Sequence, residues 1–233
     1  MTEEKSLLFC PLNMACQVLQ PRWTIQILAE MWWGSSRFNE LRRGIPKISP
    51  TLLTKRLKEL EANGLIDRVE DDSTGTVVYV RTPAAIELEP VIQALGNWAY
   101  RNTGVDNETS SADAKTFVWS CLRRGINTLA LPAQRIIFKL TFPEQAPADR
   151  MYWVICKPGH PVDVCYVDPG FDVDLFINTS LNTLVSVYFG HSKLLTEIDA
   201  DRITLIGKLV LSRSISRWLT LSSYACQKEA GTL

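Results

Sequence analysis

Histidine is scarce, cysteines never pair at metal-ligand spacing, and no long apolar run is present. Only His160 and His191 occur among the 233 residues, and neither stands in an H-E-x-x-H or triad pattern. The six cysteines are Cys10, Cys16, Cys121, Cys156, Cys165 and Cys226; none forms C-x-x-C, so zinc-ligand spacing is missing. There is no G-x-S-x-G and no phosphate-binding glycine loop. Nucleophilic and metal-dependent catalysis therefore have no visible apparatus. The chain is expected to be no enzyme and to need no metal or cofactor. The start, Met1-Thr2-Glu3-Glu4-Lys5, lacks the basic head and apolar core of a secretory signal. No stretch reaches the ~20 apolar residues of a membrane helix. The expected location is the cytoplasm, with no membrane partner, where cysteines stay as thiols.

Net charge does not announce a partner, because Lys+Arg and Asp+Glu both total 25. The distribution is more telling. Arg37, Arg42, Arg43, Lys47, Lys55, Arg56 and Lys58 fall in one stretch where Glu40 is the only acid. A local basic face supplies the electrostatic part of nucleic-acid binding.

That stretch has a pattern. Arg37 to Arg43 predicts a short helix with Phe38 and Leu41 on one side, and Gly44-Ile45-Pro46 breaks it. Ser49 then suits an N-cap and Pro50 the first helical position, where its missing N–H costs nothing. Leu53, Leu57 and Leu60 recur at i, i+4, i+7 and form one buried stripe. Thr51, Lys55 and Lys58 lie roughly opposite, with Thr54 to one side. Asn63-Gly64 stops the helix. Leu65 to Val69 and Thr76 to Arg81 read as two strands around a turn that includes Asp71 and Asp72. Helix, turn, helix and hairpin make a winged helix-turn-helix, in which a Thr/Lys front can meet base edges and phosphates. Upstream, Pro11 to Leu19 predicts a helix presenting Leu12, Cys16 and Leu19. Trp23 to Trp33 predicts the next. After the wing, Ile86 to Tyr100 predicts a helix burying Leu88, Val91, Ile92, Leu95 and Trp98.

Cys10-Pro11-Leu12, Arg22-Trp23-Thr24, Arg37-Phe38-Asn39-Glu40-Leu41-Arg42, Ile48-Ser49-Pro50 and Arg56 to Leu65 together resemble the HxlR-type branch of winged-helix transcription regulators. The resemblance covers roughly the first hundred residues. It implies a homodimer built from the first and last helices of this domain, acting on double-stranded DNA. The DNA-facing candidates are Thr51, Thr54, Lys55 and Lys58 on the second helix, with Arg37 and Arg42 on the first. Ser49 is first a cap and second a phosphate donor. Arg56, on the flank of the leucine stripe, reaches either phosphate or an acid of its own domain. Arg68 and Arg81 stand at the wing base, while the acidic wing tip repels phosphate. The resemblance also makes Cys10 a redox-sensing candidate near the dimer interface, against the plainer reading of a small, partly buried residue; Cys16 is expected to be packed.

The polar run of residues 103–113 is a linker, dividing a DNA-binding domain at 1–102 from a second domain at 114–233. There, Lys115 to Thr128 predicts a helix. Arg135–Phe142, Tyr152–Cys156, Val162–Val167 and Val173–Ile177 predict strands. Thr183–Phe189 and Lys193–Ile198 predict helices, Ile203–Ile206 a short strand, and Leu209–Tyr224 a closing helix. The fold class is α+β: a winged helix-turn-helix followed by an α+β domain with a mainly antiparallel sheet. Asp172 to Leu175, Leu184 to Gly190, Arg202 to Gly207 and the Trp218-Leu219 region resemble a sterol carrier protein-like domain. That resemblance implies a late strand, then helices, a strand ending in Gly, and a last helix over the sheet. Lys208 stands where an acid usually follows the Gly. It also implies room for a hydrophobic small-molecule effector between the sheet and the final helices; a filled core is the alternative. The function expected is a DNA-binding transcriptional regulator, acting as a repressor. A carrier for an apolar molecule, with the winged helix serving dimerisation, is the alternative.

Overall fold

In the computed structural model, which describes residues 10–71, 75–103 and 113–225, most elements form where apolar spacing places them. The chain divides into two units, residues 1–95 and 96–233. Most of the expected linker, and Cys226, lie outside the described residues.

The first unit carries α1 (Pro11–Leu19), α2 (Thr24–Trp32), α3 (Phe38–Gly44) and α4 (Pro50–Ala62). The hairpin β1 (Ile66–Asp71) and β2 (Thr76–Arg81) follows, then α5 (Pro83–Glu87) and α6 (Glu89–Asn102), which runs across the boundary. Leu53, Leu57 and Leu60 of α4 are buried against Ile27 and Leu28 of α2 and Leu41 of α3 in one core. Ser49 starts α4, its Oγ accepting the Leu52 N–H at 3.2 Å. The end of α4 is a Schellman motif: Leu65 N–H donates to the Leu60 carbonyl at 2.9 Å and Gly64 N–H to that of Glu61 at 2.9 Å. Gly64 supplies the left-handed φ of +67° this needs. The hairpin is antiparallel, pairing Ile66 with Arg81 through Asp71 with Thr76. Its tip, with the expected acid Asp72, lies outside the described residues. Tyr79 N–H donates to the Ser36 carbonyl at 2.7 Å, and Thr82 Oγ1 to that of Gly64 at 2.7 Å, fastening the wing to the helices.

Two expectations change here. The helix after the wing is broken into α5 and α6. Pro90 sits in the first turn of α6, and its ring cannot follow helical residues four places upstream without a clash. Of the five side chains expected to be buried on it, only Ile92 is, and Leu88 partly; Val91, Leu95 and Trp98 are exposed. Likewise α1 buries no residue, and Cys16, expected to be packed, is exposed.

The second unit carries α7 (Ala114–Ser120), β3 (Ile136–Thr141), β4 (Met151–Cys156), β5 (Asp163–Cys165), β6 (Leu175–Thr179), α8 (Leu181–Tyr188), α9 (Leu194–Asp199), β7 (Ile203–Gly207), α10 (Leu209–Arg213) and α11 (Ile215–Trp218). Strand order is β5-β4-β3-β6-β7. Every neighbouring pair is antiparallel except β3 with β6, which the chain reaches by crossing over after β5. One face carries the main core, where Phe138 stacks on Trp218 at 4.4 Å between ring centres. Trp218 Nε1–H donates to the Leu211 carbonyl at 2.9 Å, so the indole is buried with its polar atom satisfied.

The expected closing helix is also split. After α11 the chain turns extended: Asn127 N–H donates to the Trp218 carbonyl at 2.7 Å, and Thr220 N–H to that of Gly125 at 2.6 Å. These backbone groups find partners across the unit, in place of the next helical turn. The helix expected to reach Thr128 stops at Ser120 and continues as a 3-10 turn over Leu122–Gly125, after which residues 125–127 take up the tie. The space between sheet and final helices is filled, with about 10 Å³ left free among Phe138, Leu140, Ile177 and Trp218. That is about the room of one water, so the apolar cavity expected there is absent from the described structure. Among the described residues no helix is long and apolar enough to cross a membrane.

β7 ends on Gly207 at φ +146°, where an added Cβ would come within 2.4 Å of the Asp174 carbonyl oxygen. Lys208 pairs with the Asp174 carboxylate, which also accepts the Ile137 N–H at 2.7 Å. Gly207→Ala is expected to destabilise the second unit by about 1–3 kcal/mol, the scale of local backbone strain. Denaturant unfolding followed by tryptophan fluorescence checks it.

Candidate nucleic-acid interface

The helix-turn-helix is rigid where its two helices meet. Glu40 reaches back to the start of α3 and accepts the N–H groups of Ser36 at 2.9 Å and Arg37 at 3.0 Å, satisfying donors that a helix start leaves open. Gly44 closes α3 against Glu30: a Cβ there would lie 2.1 Å from the Glu30 carboxylate. Ile45 and Ile48 of the turn are buried. The stripe of α4 thus points inward, and its opposite side has one direction left.

On that side Thr51, Thr54, Lys55 and Lys58 are exposed and border one open concavity with Glu59 and Ala62. Thr54 Oγ1 donates to the Pro50 carbonyl at 3.0 Å, so its lone pairs remain open to an incoming donor. Lys55 Nζ lies 3.9 Å from Glu59, with the lysine side chain 67% exposed; such a pair is worth little and can rearrange toward a phosphate. Among the described residues no acid forms an ion pair with Lys58. Arg37 and Arg42 are exposed at the start and last turn of α3. Ser49 is spent first as a cap, its hydroxyl hydrogen still free to donate. Lys47, outside the set picked from the sequence, is exposed in the turn just before α4.

Arg56 takes the intradomain course. Its Nε donates to the Arg22 carbonyl at 3.0 Å, its guanidinium pairs with Glu59, and its side chain is only 15% exposed. The Arg22 carbonyl precedes Trp23, a non-glycine residue at φ +81°, with Arg22 itself lying over the indole. Arg56 therefore clamps the strained entry of α2 to α4. At the wing base, Arg68 lies 3.6 Å from Glu70 and Arg81 3.8 Å from Glu89, which dilutes their charge toward a phosphate. Cys10 is exposed immediately before α1. Cys156, by contrast, is buried, and burial pushes its thiol up to about 12, leaving it inert.

Arg56→Ala is expected to cost about 1.5–3 kcal/mol of stability, the scale of hydrogen bonds to a charged group. The salt dependence of DNA binding should be unchanged. Thermal unfolding paired with a salt titration of DNA affinity separates the two roles.

The comparisons with known proteins fall on the N-terminal part of the chain. The HxlR-like helix-turn-helix family matches residues 18–107. The HTH-type transcriptional regulator YybR of Bacillus subtilis is 34% identical over 97 residues, spanning 41% of this chain and 78% of that protein. YodB, an HTH-type transcriptional regulator of the same organism, is 36% identical over 92 residues, spanning 39% and 82%. The solved reduced form of YodB superposes with a TM-score of 0.38 at 33% identity, over 41% of this chain and 96% of that one. The chain belongs to the HxlR-like helix-turn-helix family of transcriptional regulators.

Proposed function

We propose that the protein binds operator DNA as a homodimer and acts as a repressor, with the front of α4 in the major groove. The observation that carries this reading is the exposed Thr51, Thr54, Lys55 and Lys58 face standing directly behind a buried leucine stripe. A rigid back holds register while threonine hydroxyls and lysine ammonium groups meet base edges and phosphates. Arg37, Arg42 and Ser49 add backbone contacts beside it. Arg68 and Arg81 contribute less, each sharing its charge with an acid. The apolar faces left open in the first unit support self-association: Leu12 of α1 is 71% exposed, and Val91 and Leu95 of α6 are open as well. Apolar surface of this kind is normally covered by a partner, and a two-fold dimer matches two half-sites.

The second unit serves this reading as an effector module. Its order of strand, helices, strand ending in Gly207, and final helices supports the sterol carrier-like resemblance, and an effector would act by favouring one of two states of the dimer. Thiol chemistry at Cys10 is a second input, favoured by its exposure and its place just before a helix.

Lys55→Ala and Lys58→Ala are each expected to weaken binding to the protein's own upstream DNA and to lower the salt slope by about one. Unaltered affinity and slope in both would remove α4 from the interface. Cys10→Ser is expected to abolish the loss of DNA affinity that peroxide or quinone produces. If the variant loses affinity as the parent does, Cys10 is not the sensor.

A further inference from the structure

A concavity of about 710 Å³ opens in the second unit between the end of α8, α9 and the segment that follows α11. It adjoins the filled space under the sheet, with Leu122, Leu184, Leu194 and Leu219 forming the shared wall. Its wall is tied at two points. Thr220 donates to the Gly125 carbonyl through both N–H, at 2.6 Å, and Oγ1, at 3.0 Å. Ser222 N–H donates to the Tyr188 carbonyl at 2.8 Å. Leu221 stands between these ties and lines the groove. At the far edge Gly190, at φ +76°, turns the chain after α8; a Cβ there would lie 3.1 Å from that of Ala225. Both residues line the groove. The groove is thus held open by backbone bonds on one side and narrowed by a glycine on the other.

Its size falls within the ~300–1,000 Å³ of small-molecule sites. The lining is largely aliphatic, with Leu184, Leu194, Leu195 and Leu221 prominent, and Lys193 is its one charged side chain. One helical turn on from Lys193 stands Glu197, at the i+4 spacing that would pair them. The Glu197 carboxylate is instead taken by Arg202, whose hydrogen bond holds it below the ordinary carboxylate range. Among the described residues no acid forms an ion pair with Lys193. An ammonium group at the rim of a leucine-lined groove matches a ligand with one negative charge and a long apolar body.

We infer that this groove binds an amphipathic anion, an apolar chain or ring bearing one carboxylate, with the acid at Lys193 and the body against Leu184, Leu195 and Leu221. The inference rests on the effector reading above for its regulatory meaning; binding itself stands on the groove alone. A free acid is the ligand assigned. The acidic head of a membrane lipid shares the chemistry and is separated by the test.

The test uses the full chain and dodecanoate below its micelle concentration, titrated calorimetrically, with dodecanol and phosphatidylglycerol vesicles as comparisons. Expected is saturable uptake of one dodecanoate per chain. Lys193→Gln should weaken it about tenfold or more, the effect of losing one charge-assisted bond, and leave dodecanol binding unchanged. Leu221→Trp should fill the groove and abolish both. Leu195→Trp, at a more exposed position, repeats that block should the first variant unfold. Absence of saturable dodecanoate binding, binding undiminished in Lys193→Gln and a folded groove-filling variant, or capture by vesicles alone overturns the inference. DNA binding of the unliganded protein is titrated in parallel. Intact DNA binding without dodecanoate uptake sinks the groove and spares the regulator, whereas uptake without DNA binding does the reverse.

Discussion

Burial of Leu53, Leu57 and Leu60 is the constraint on which the first unit depends. Each contributes about 1.5–3 kcal/mol by leaving water, and together they fix the rotation of α4 about its axis. Once the stripe is in, the 3.6-residue period leaves Thr51, Thr54, Lys55 and Lys58 nowhere to point but outward. The exposed Thr/Lys face, the proposed recognition surface, is thus a by-product of core packing. Arg56 reinforces it from the flank, joining α4 to the strained entry of α2. Truncating it would loosen the register of the helix pair.

The second unit is organised by a different device. Its sheet closes on one parallel pairing, β3 with β6, and the chain then returns under the core through α10 and α11. Gly207 and the Lys208–Asp174 pair bring β7 close to the turn before β6. The tie of residues 218–220 to 125–127 locks the last segment as an extended strap. That strap is why the groove lies at the side of the domain and the interior beneath the sheet is filled.

Legibility followed locality. The N-cap at Ser49, the leucine period, the Asn63-Gly64 stop and the alternating strands are short-range signals, and the elements built on them stand where the sequence places them. Long-range competition was not legible. Nothing in Leu209 to Tyr224 says that the backbone after Trp218 will bond to Gly125, so a helix was expected where a strap forms. Leu88 to Trp98 carries a helical apolar period, but the period cannot say whether the covering surface belongs to the same chain. Arg56 shows the same limit: its place beside the stripe leaves phosphate and acid both open, and its bond to the Arg22 carbonyl, 34 residues away in sequence, is not written in the local pattern. Lys193 gave no sequence signal, because the acid at i+4 looks like its partner until Arg202 is seen to hold it.

The proposed regulator is a dimer that reads DNA with α4. Footprinting of the purified protein on its own upstream DNA, at physiological salt and with excess unrelated DNA, tests this most directly. Two protected half-sites in inverted orientation, centred about one helical turn or a multiple apart, are the predicted result. A single unpaired footprint would contradict the dimer, and no protection above the unrelated DNA would contradict the DNA-reading role of α4.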